Sequence, residues 1–298
     1  VNWTILKLLQ WSEEFLRGKG VESPRLDAEL LLGRVLDLPR VQLYAQFDRP
    51  LAEAELGAFK ALLTRRASRE PLAYILGEKE FFSLRLAVNT SVLIPRPETE
   101  ELVERGLDHL KALRAAGATE FSVLDLATGS GCALIAVLKN FPEASGLGLD
   151  VSTAALEVAQ ANAVAHGLSD RAAFRRADLS QGWETGLSGR FHLVLANLPY
   201  VSESDWSSLE PEIRDFEPKL ALVPGPEGTE ALAWVLPKLE GILAPSGAAW
   251  LEIGMDQGPG ALAAAGGLGP GLSAEVQRDL SGRDRFIKIG FILSGFIL

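Results

Sequence analysis

From Phe121 to the end of the chain, short apolar runs alternate with stretches of helical character, and this alternation limits the fold more than any other feature. The runs Phe121–Leu126, Ala144–Leu149, Ala172–Arg176, Phe191–Ala196, Ala248–Ile253, Leu272–Gln277 and Arg285–Ile292 are predicted as strands. Between them the helices Cys132–Asn140, Thr153–His166 and Thr229–Leu243 stand out. A strand that returns parallel to its predecessor needs a long crossover, which a helix supplies. Strands covered by helices on both faces read as nearly continuous apolar runs. The expectation is an α/β domain built on a parallel sheet of these seven strands with helices on both faces. The Gly/Ala-rich stretch Gly258–Gly271 is expected to be mobile, and the tail Phe286–Leu298 to form a terminal strand followed by a few apolar residues.

Upstream the pattern is helical. Trp3–Gly18 sets Leu6, Leu9, Phe15 and Leu16 near one face, and Ser23-Pro24 opens a second helix with an N-cap and a first-turn proline. Pro39 opens a short third segment, Ala52–Ala67 forms a fourth, and Pro71–Leu76 a last turn closed by Gly77. Residues 1–77 thus predict a small helical domain without a cluster of reactive side chains, suited to recognising a substrate partner. Between 78 and 94 the period becomes two, with Phe82, Leu84, Leu86 and Val88 apolar, which predicts a β-hairpin linker. Residues 95–298 are left as the sheet domain.

The bulk properties exclude several function classes. Cys132 is the only cysteine, which rules out an internal disulfide and fits a reducing, cytoplasmic setting. The opening segment carries Glu13 and Glu14, unlike a secretory signal, and the apolar tail is too short to span a bilayer. The net charge of −10 is uneven: residues 1–76 hold 11 Lys/Arg against 10 Asp/Glu, and the remainder 18 against 29. Such an acidic sheet domain is a poor partner for a phosphate backbone, which argues against direct nucleic-acid binding. A protein substrate or a cationic small molecule suits it better.

Ligands of open α/β sheets bind at the carboxyl ends of the strands, so those ends carry the chemistry. Asp125-Leu-Ala127-Thr128-Gly129-Ser130-Gly131 follows the first strand and opens a helix, offering backbone N–H groups to an anion. A dinucleotide site would want Gly or Ala where Leu134 stands, so that reading fails. The second strand ends in Asp150, placed to accept both hydroxyls of a ribose. A nucleoside ligand with one anionic group and no pyrophosphate fits S-adenosylmethionine, its carboxylate at the loop and its ribose at Asp150. Asp178 ends the third strand and could meet the adenine amino group, with Leu179 packing on the ring; a solvated strand end explains Asp178 equally well. The fourth strand ends in Asn197-Leu198-Pro199-Tyr200. An amide and a carbonyl there could accept both hydrogens of a planar –NH2 group while the Tyr ring covers it. An ordinary strand end with an Asn turn accounts for the same residues.

The ordered set Pro95-Arg-Pro-Glu-Thr-Glu100, Asp125–Cys132, Asn197–Tyr200, Arg214–Leu222, Leu251–Gly258 and Asp279–Asp284 resembles the HemK-type peptide chain release factor glutamine methyltransferases. Each motif is modestly specific; their order is highly so. The resemblance implies an α/β, Rossmann-like class I S-adenosylmethionine-dependent methyltransferase fold with a seven-stranded, mostly parallel sheet. It implies N5-methylation of the glutamine in the Gly-Gly-Gln motif of class 1 release factors during translation termination, leaving S-adenosylhomocysteine. In that family the Asn-Pro-Pro-Tyr motif grips the substrate amide; carried over, Asn197 and the Leu198 carbonyl would accept its hydrogens, and Pro199 and Tyr200 would shape the slot. Ala127 stands where the family usually has Gly, which should be harmless if its φ is negative. Leu198 replaces the first Pro, giving a spelling that resembles the ribosomal RNA adenine-N6 dimethyltransferases; the lost φ restraint should cost roughly 0.4–1 kcal/mol. The alternatives are a ribosomal-protein glutamine methyltransferase and an adenine-N6 nucleic-acid methyltransferase. A cofactor-binding interaction protein without activity is a third. His109, His166 and His192 read as structural, and no His/Cys cluster suggests a metal.

Overall fold

The computed structural model describes residues 2–269 and 271–292. By compactness the chain divides into two units, one reaching Glu78 and including Glu210–Phe216, the other formed by the rest. The first unit holds α1 (Ile5–Arg17), α2 (Pro24–Leu36), α3 (Arg40–Ala45), α4 (Glu53–Ala67) and α5 (Leu72–Leu76). Ile5, Leu9, Leu16, Leu31, Leu32 and Phe59 are among the apolar residues of its core. Arg66 pairs with buried Asp27 at 2.7 Å, and Arg66 and Arg69 both bond Glu212 from the Glu210–Phe216 segment.

The second unit opens with the hairpin β1 (Glu78–Phe81) and β2 (Leu84–Ala87), then α6 (Pro97–Ala115). There follow β3 (Phe121–Leu126), α7 (Cys132–Asn140), β4 (Ala144–Asp150), α8 (Thr153–Ala165), β5 (Ala172–Arg176) and β6 (Phe191–Asn197). After α9 (Pro211–Arg214), which belongs to the first unit, come α10 (Glu230–Val235), α11 (Leu239–Ile242), β7 (Leu243–Glu252), α12 (Gly258–Ala265), β8 (Leu272–Arg278) and β9 (Asp284–Phe291). The seven-stranded sheet runs β5-β4-β3-β6-β7-β9-β8, parallel except at β9, which is antiparallel to both of its neighbours. The chain steps outward from β3 to β4 and β5, then returns to the other side of β3 as β6. That reversal makes the crevice above β3 and β6 the topological switch point, where ligands of such sheets bind.

Both faces of the sheet are covered, as its apolar strands require. Val123, Leu193, Leu195 and Trp250 pack on one face with α6 and α7. Leu124, Leu126, Val194, Ala196 and Leu251 pack on the other with α10, α11 and α12. The two-residue period of a strand therefore decides which side of the sheet each strand-end residue serves.

Two expectations need correction. The predicted helix Thr229–Leu243 is split into α10 and α11 by a 3₁₀ turn at Leu236–Lys238, because Pro237 has no N–H and clashes with the preceding turn. Within Gly258–Gly271, Pro259 and a run of alanines make α12, whose Ala261 is buried. Phe82 lies in the hairpin turn rather than in a strand; it and Ser83 take φ of 51° and 59°. Two consecutive positive-φ residues match the right-handed strand twist, and Glu100 accepts the Phe82 N–H at 2.8 Å. The last residues of the apolar tail, 293–298, lie outside the described residues.

Candidate active site

The carboxyl ends of β3, β4 and β6 open into a cavity of about 370 Å³, the size of a small-molecule site. Ala127, Thr128, Gly129, Ser130, Asp150, Asp178, Leu179, Asn197 and Pro199 line it, whereas Gly131, Leu198 and Tyr200 do not. Gly131 acts from behind: at φ 79° it caps α7, and an added Cβ would lie 3.1 Å from Ile135 Cδ1. None of the three histidines reaches the lining.

The loop after β3 is held by its own bonds. Thr128 N–H donates to Leu149 O, Gly131 N–H to Thr128 O, and Gly129 N–H to Asp150 Oδ2 at 2.9 Å. The donors left for an anion are therefore those of Ser130 and the start of α7. Thr128 Oγ1 donates to buried Asp125 Oδ2 at 2.6 Å. Burial drives the Asp125 carboxyl up to about 7, against the Thr128 bond. Ala127 has φ 55°, so the condition for its methyl to be harmless is not met: a left-handed non-glycine residue costs about 1–2 kcal/mol.

Asp150 accepts Gly129 N–H on one oxygen and Ser152 N–H on the other, both at 2.9 Å. Burial raises its pKa and these backbone donors oppose the rise. Each carboxylate oxygen has a second lone pair, so two hydroxyls can still be received. Asp178 is also engaged: Ser180 N–H and Oγ donate to its Oδ1, and these bonds lower its pKa.

A second, narrower cavity of about 30 Å³ shares Leu93, Asn197, Pro199 and Ala221 with the first and adds Arg96, Leu198, Tyr200 and Leu222. It has room for about two waters, roughly the bulk of a carboxamide. Strand alternation divides the labour here. Asn197 follows Leu193 and Leu195 onto the α6 face, while the Leu198 side chain is buried in the opposite core, leaving its backbone at the site. Asn197 Nδ2 donates to Thr99 Oγ1 at 3.0 Å, and Thr99 Oγ1 donates to Glu252 Oε2 at 2.8 Å. Asn197 and Glu252 are register partners on β6 and β7. Burial lifts the Glu252 carboxyl to about 7; the Thr99 bond, Arg285 and Arg96 pull it down and Glu98 pushes it up.

Two further side chains brace the rim. Glu217 is buried, accepts the Ile94 N–H at 3.2 Å and pairs with Arg96, fixing the proline loop that leads into α6. Gln257 Nε2 donates to the carbonyls of Tyr200 and Gly228 at 3.1 and 3.0 Å, while its Oε1 accepts Gly254 N–H. Gly228 takes φ 78°, and a Cβ there would lie 2.6 Å from Tyr200 O. Sequence reasoning assigned no role to Thr99, Asp125, Glu217, Glu252 or Gln257, although each sits inside one of the ordered motifs. The motifs were the available signal.

Residues 7–77 match the PrmC N-terminal domain and residues 123–216 a methyltransferase domain. The release factor glutamine methyltransferase of Nitratidesulfovibrio vulgaris is 42% identical over 291 residues, covering 95% of this chain and 94% of that protein. The one from Chlorobaculum tepidum is 41% identical, covering 85% of this chain and 86% of that protein. Among solved structures, the hMettl16 catalytic domain in complex with the MAT2A 3′UTR hairpin 6 has a TM-score of 0.54 at 15% identity, over 80% of this chain and 84% of that one. That likeness shows the fold.

Proposed function

Because the chain belongs to the family of release factor glutamine methyltransferases, we propose that it methylates the side-chain nitrogen of the glutamine in the Gly-Gly-Gln motif of class 1 peptide chain release factors, with S-adenosylmethionine as donor. One observation carries this reading: a small-molecule cavity and a carboxamide-sized slot meet at Asn197. Ser130 and the start of α7 would hold the donor's carboxylate, Asp150 its ribose hydroxyls, and Leu179 its base. When bound, the donor supplies an electrophilic methyl group on a good leaving group.

The chain's own task is positioning. A carboxamide nitrogen is a poor nucleophile, and holding it in line with the methyl removes most of the orientational cost. Asn197 Oδ1 and the Leu198 carbonyl accept the two amide hydrogens, which polarises the –NH2 and fixes its plane. Pro199 and Tyr200 narrow the slot and exclude water. The Tyr200 hydroxyl stays protonated, since burial raises its pKa. The helical unit, without reactive clusters, is assigned to recognition of the protein substrate. No helix among the described residues is long and apolar enough to cross a membrane.

The test is intact mass of a release factor incubated with the protein and S-adenosylmethionine. A gain of one methylene unit is expected, absent when the motif glutamine is replaced by alanine. N6-methyladenosine in ribosomal RNA, with unchanged release factor mass, would overturn the assignment.

A further inference from the structure

The amide of Asn197 can point either end at a ligand, and only one end accepts hydrogen bonds. We propose that Thr99 and Glu252 are positioning residues that set this choice, holding Asn197 Nδ2 inward so that Oδ1 faces the substrate slot. The inference rests on the glutamine-methylation reading for its kinetic consequence, and on geometry alone for the orientation itself.

A threonine hydroxyl has one hydrogen. Here it goes to Glu252 Oε2 at 2.8 Å, in a buried pair where a carboxylate is the strongest acceptor available. Thr99 Oγ1 can then only accept from Asn197, and it does so from Nδ2 at 3.0 Å. The three side chains come from α6, β6 and β7. Asn197 and Glu252 are locked in register on adjacent parallel strands, so both project from the same face toward the start of α6, where Thr99 is buried. A hydroxyl clamped between a carboxylate and an amide transmits hydrogen-bond direction from one to the other. The reversed chain, in which Thr99 donates to Asn197 Oδ1, would turn –NH2 toward a substrate that itself brings –NH2. Donor would then face donor.

The direction holds while Glu252 is ionised. A proton on Glu252 would let the carboxyl donate to Thr99 and release the threonine hydrogen to Asn197. Burial places that change near pH 7, with Arg96 and Glu98 from the α6 end, Cys132 from α7, Arg285 from β9 and Tyr200 from the β6 loop as the titratable groups around it.

The experiment compares Thr99→Val, which keeps the shape and removes the hydroxyl, with Thr99→Ser, which restores it. Glu252→Leu removes the acceptor independently, in case the valine variant does not fold. On release factor, Thr99→Val and Glu252→Leu are expected to lower kcat by about 10- to 100-fold with donor Kd within threefold, as misplaced groups do. Thr99→Ser should recover to within about fivefold of wild type. The Thr99→Val/Asn197→Ala double variant should be no slower than Asn197→Ala, because Thr99 acts through Asn197. Wild-type kcat should fall below pH 7, and the valine variant should lose that limb. A second readout needs no substrate. The Asn197 side-chain NH2 resonances, identified by their loss in Asn197→Ala, should show one hydrogen-bonded proton in wild type and Thr99→Ser but not in Thr99→Val or Glu252→Leu. Unchanged resonances in both of the latter overturn the proposal. So does wild-type kcat in either, provided release factor is methylated. If release factor is not methylated at all, the functional reading fails and the resonances alone decide the relay.

Discussion

Asp150→Asn tests the cofactor half of the site at its most constrained atom pair. The two Asp150 oxygens receive Gly129 N–H and Ser152 N–H, each at 2.9 Å. Asparagine keeps the shape but offers one oxygen and one NH2. Whichever way it turns, an NH2 confronts a backbone N–H, and that donor is left without a partner, at about 1–3 kcal/mol. The same turn removes one acceptor from the proposed ribose pair. A hydrogen bond to a charged group contributes about 1.5–3 kcal/mol, so the Asn variant should bind S-adenosylmethionine at least about tenfold more weakly. Asp150→Ala, which loses both acceptors and about 3–6 kcal/mol, should weaken binding by about a hundredfold or more. Isothermal calorimetry measures both, and thermal melting of the ligand-free proteins should show that the Asn variant is destabilised too. Asp178→Ala should weaken binding less than Asp150→Ala, since an amino group would bring it one hydrogen bond where the proposed ribose pair brings two to Asp150. If Asp150→Asn binds within threefold of wild type, the ribose assignment is wrong.

Gly228→Ala would add a left-handed strain and place a methyl 2.6 Å from Tyr200 O and 3.0 Å from Ser202 N, both backbone atoms that must move. Its kcat should fall by about a hundredfold with donor affinity within threefold, measured by initial rates and calorimetry; equal loss of donor affinity would show that the two cavities are not separately built. Asp125→Asn probes the cost of the buried carboxyl. The folded-state pKa of about 7 lies above the unfolded value, so the native state binds more protons between about pH 4 and 7 and wild-type stability falls as pH rises through that window. Asp125 also accepts the Leu134 N–H, so asparagine carries a pH-independent cost of its own; the melting temperature of the Asn variant relative to wild type should rise between about pH 4 and 7 and level off on either side. A pH-independent difference in melting temperature would remove the titration argument.

Why the strand ends were legible and their partnerships were not follows from what each depends on. Leu147–Leu149 and Leu193–Ala196 carry no polar side chain, so Asp150 and Asn197 stand out as the polar residues that close their strands. The split of Thr229–Leu243 is written in Pro237. The hairpin turn at Phe82-Ser83 carries neither Gly nor Asn, and no local signal marks it. Thr99 and Glu252 are 153 residues apart, and only the register of β6 against β7 brings Asn197 into their chain of bonds.

The same register bears on the departure that most separates this chain from its family's spelling. Residue 197 faces α6 and residue 198 faces the core of α10 to α12, as two-residue alternation demands. The side chain after Asn197 therefore packs away from the proposed substrate slot whatever its identity, and what residue 198 would offer an amide there is its backbone carbonyl. A leucine fills that core position and keeps the carbonyl. What a proline would add is backbone restraint of about 0.4–1 kcal/mol, which a fully packed leucine offsets by burial. Substrate choice between a glutamine amide and an adenine amine is thus not written in residue 198. We propose that it is set by the slot at Asn197 and by the charge of the sheet domain, 18 Lys/Arg against 29 Asp/Glu over residues 77–298, since flipping a base out of structured RNA needs basic surface to hold its phosphates.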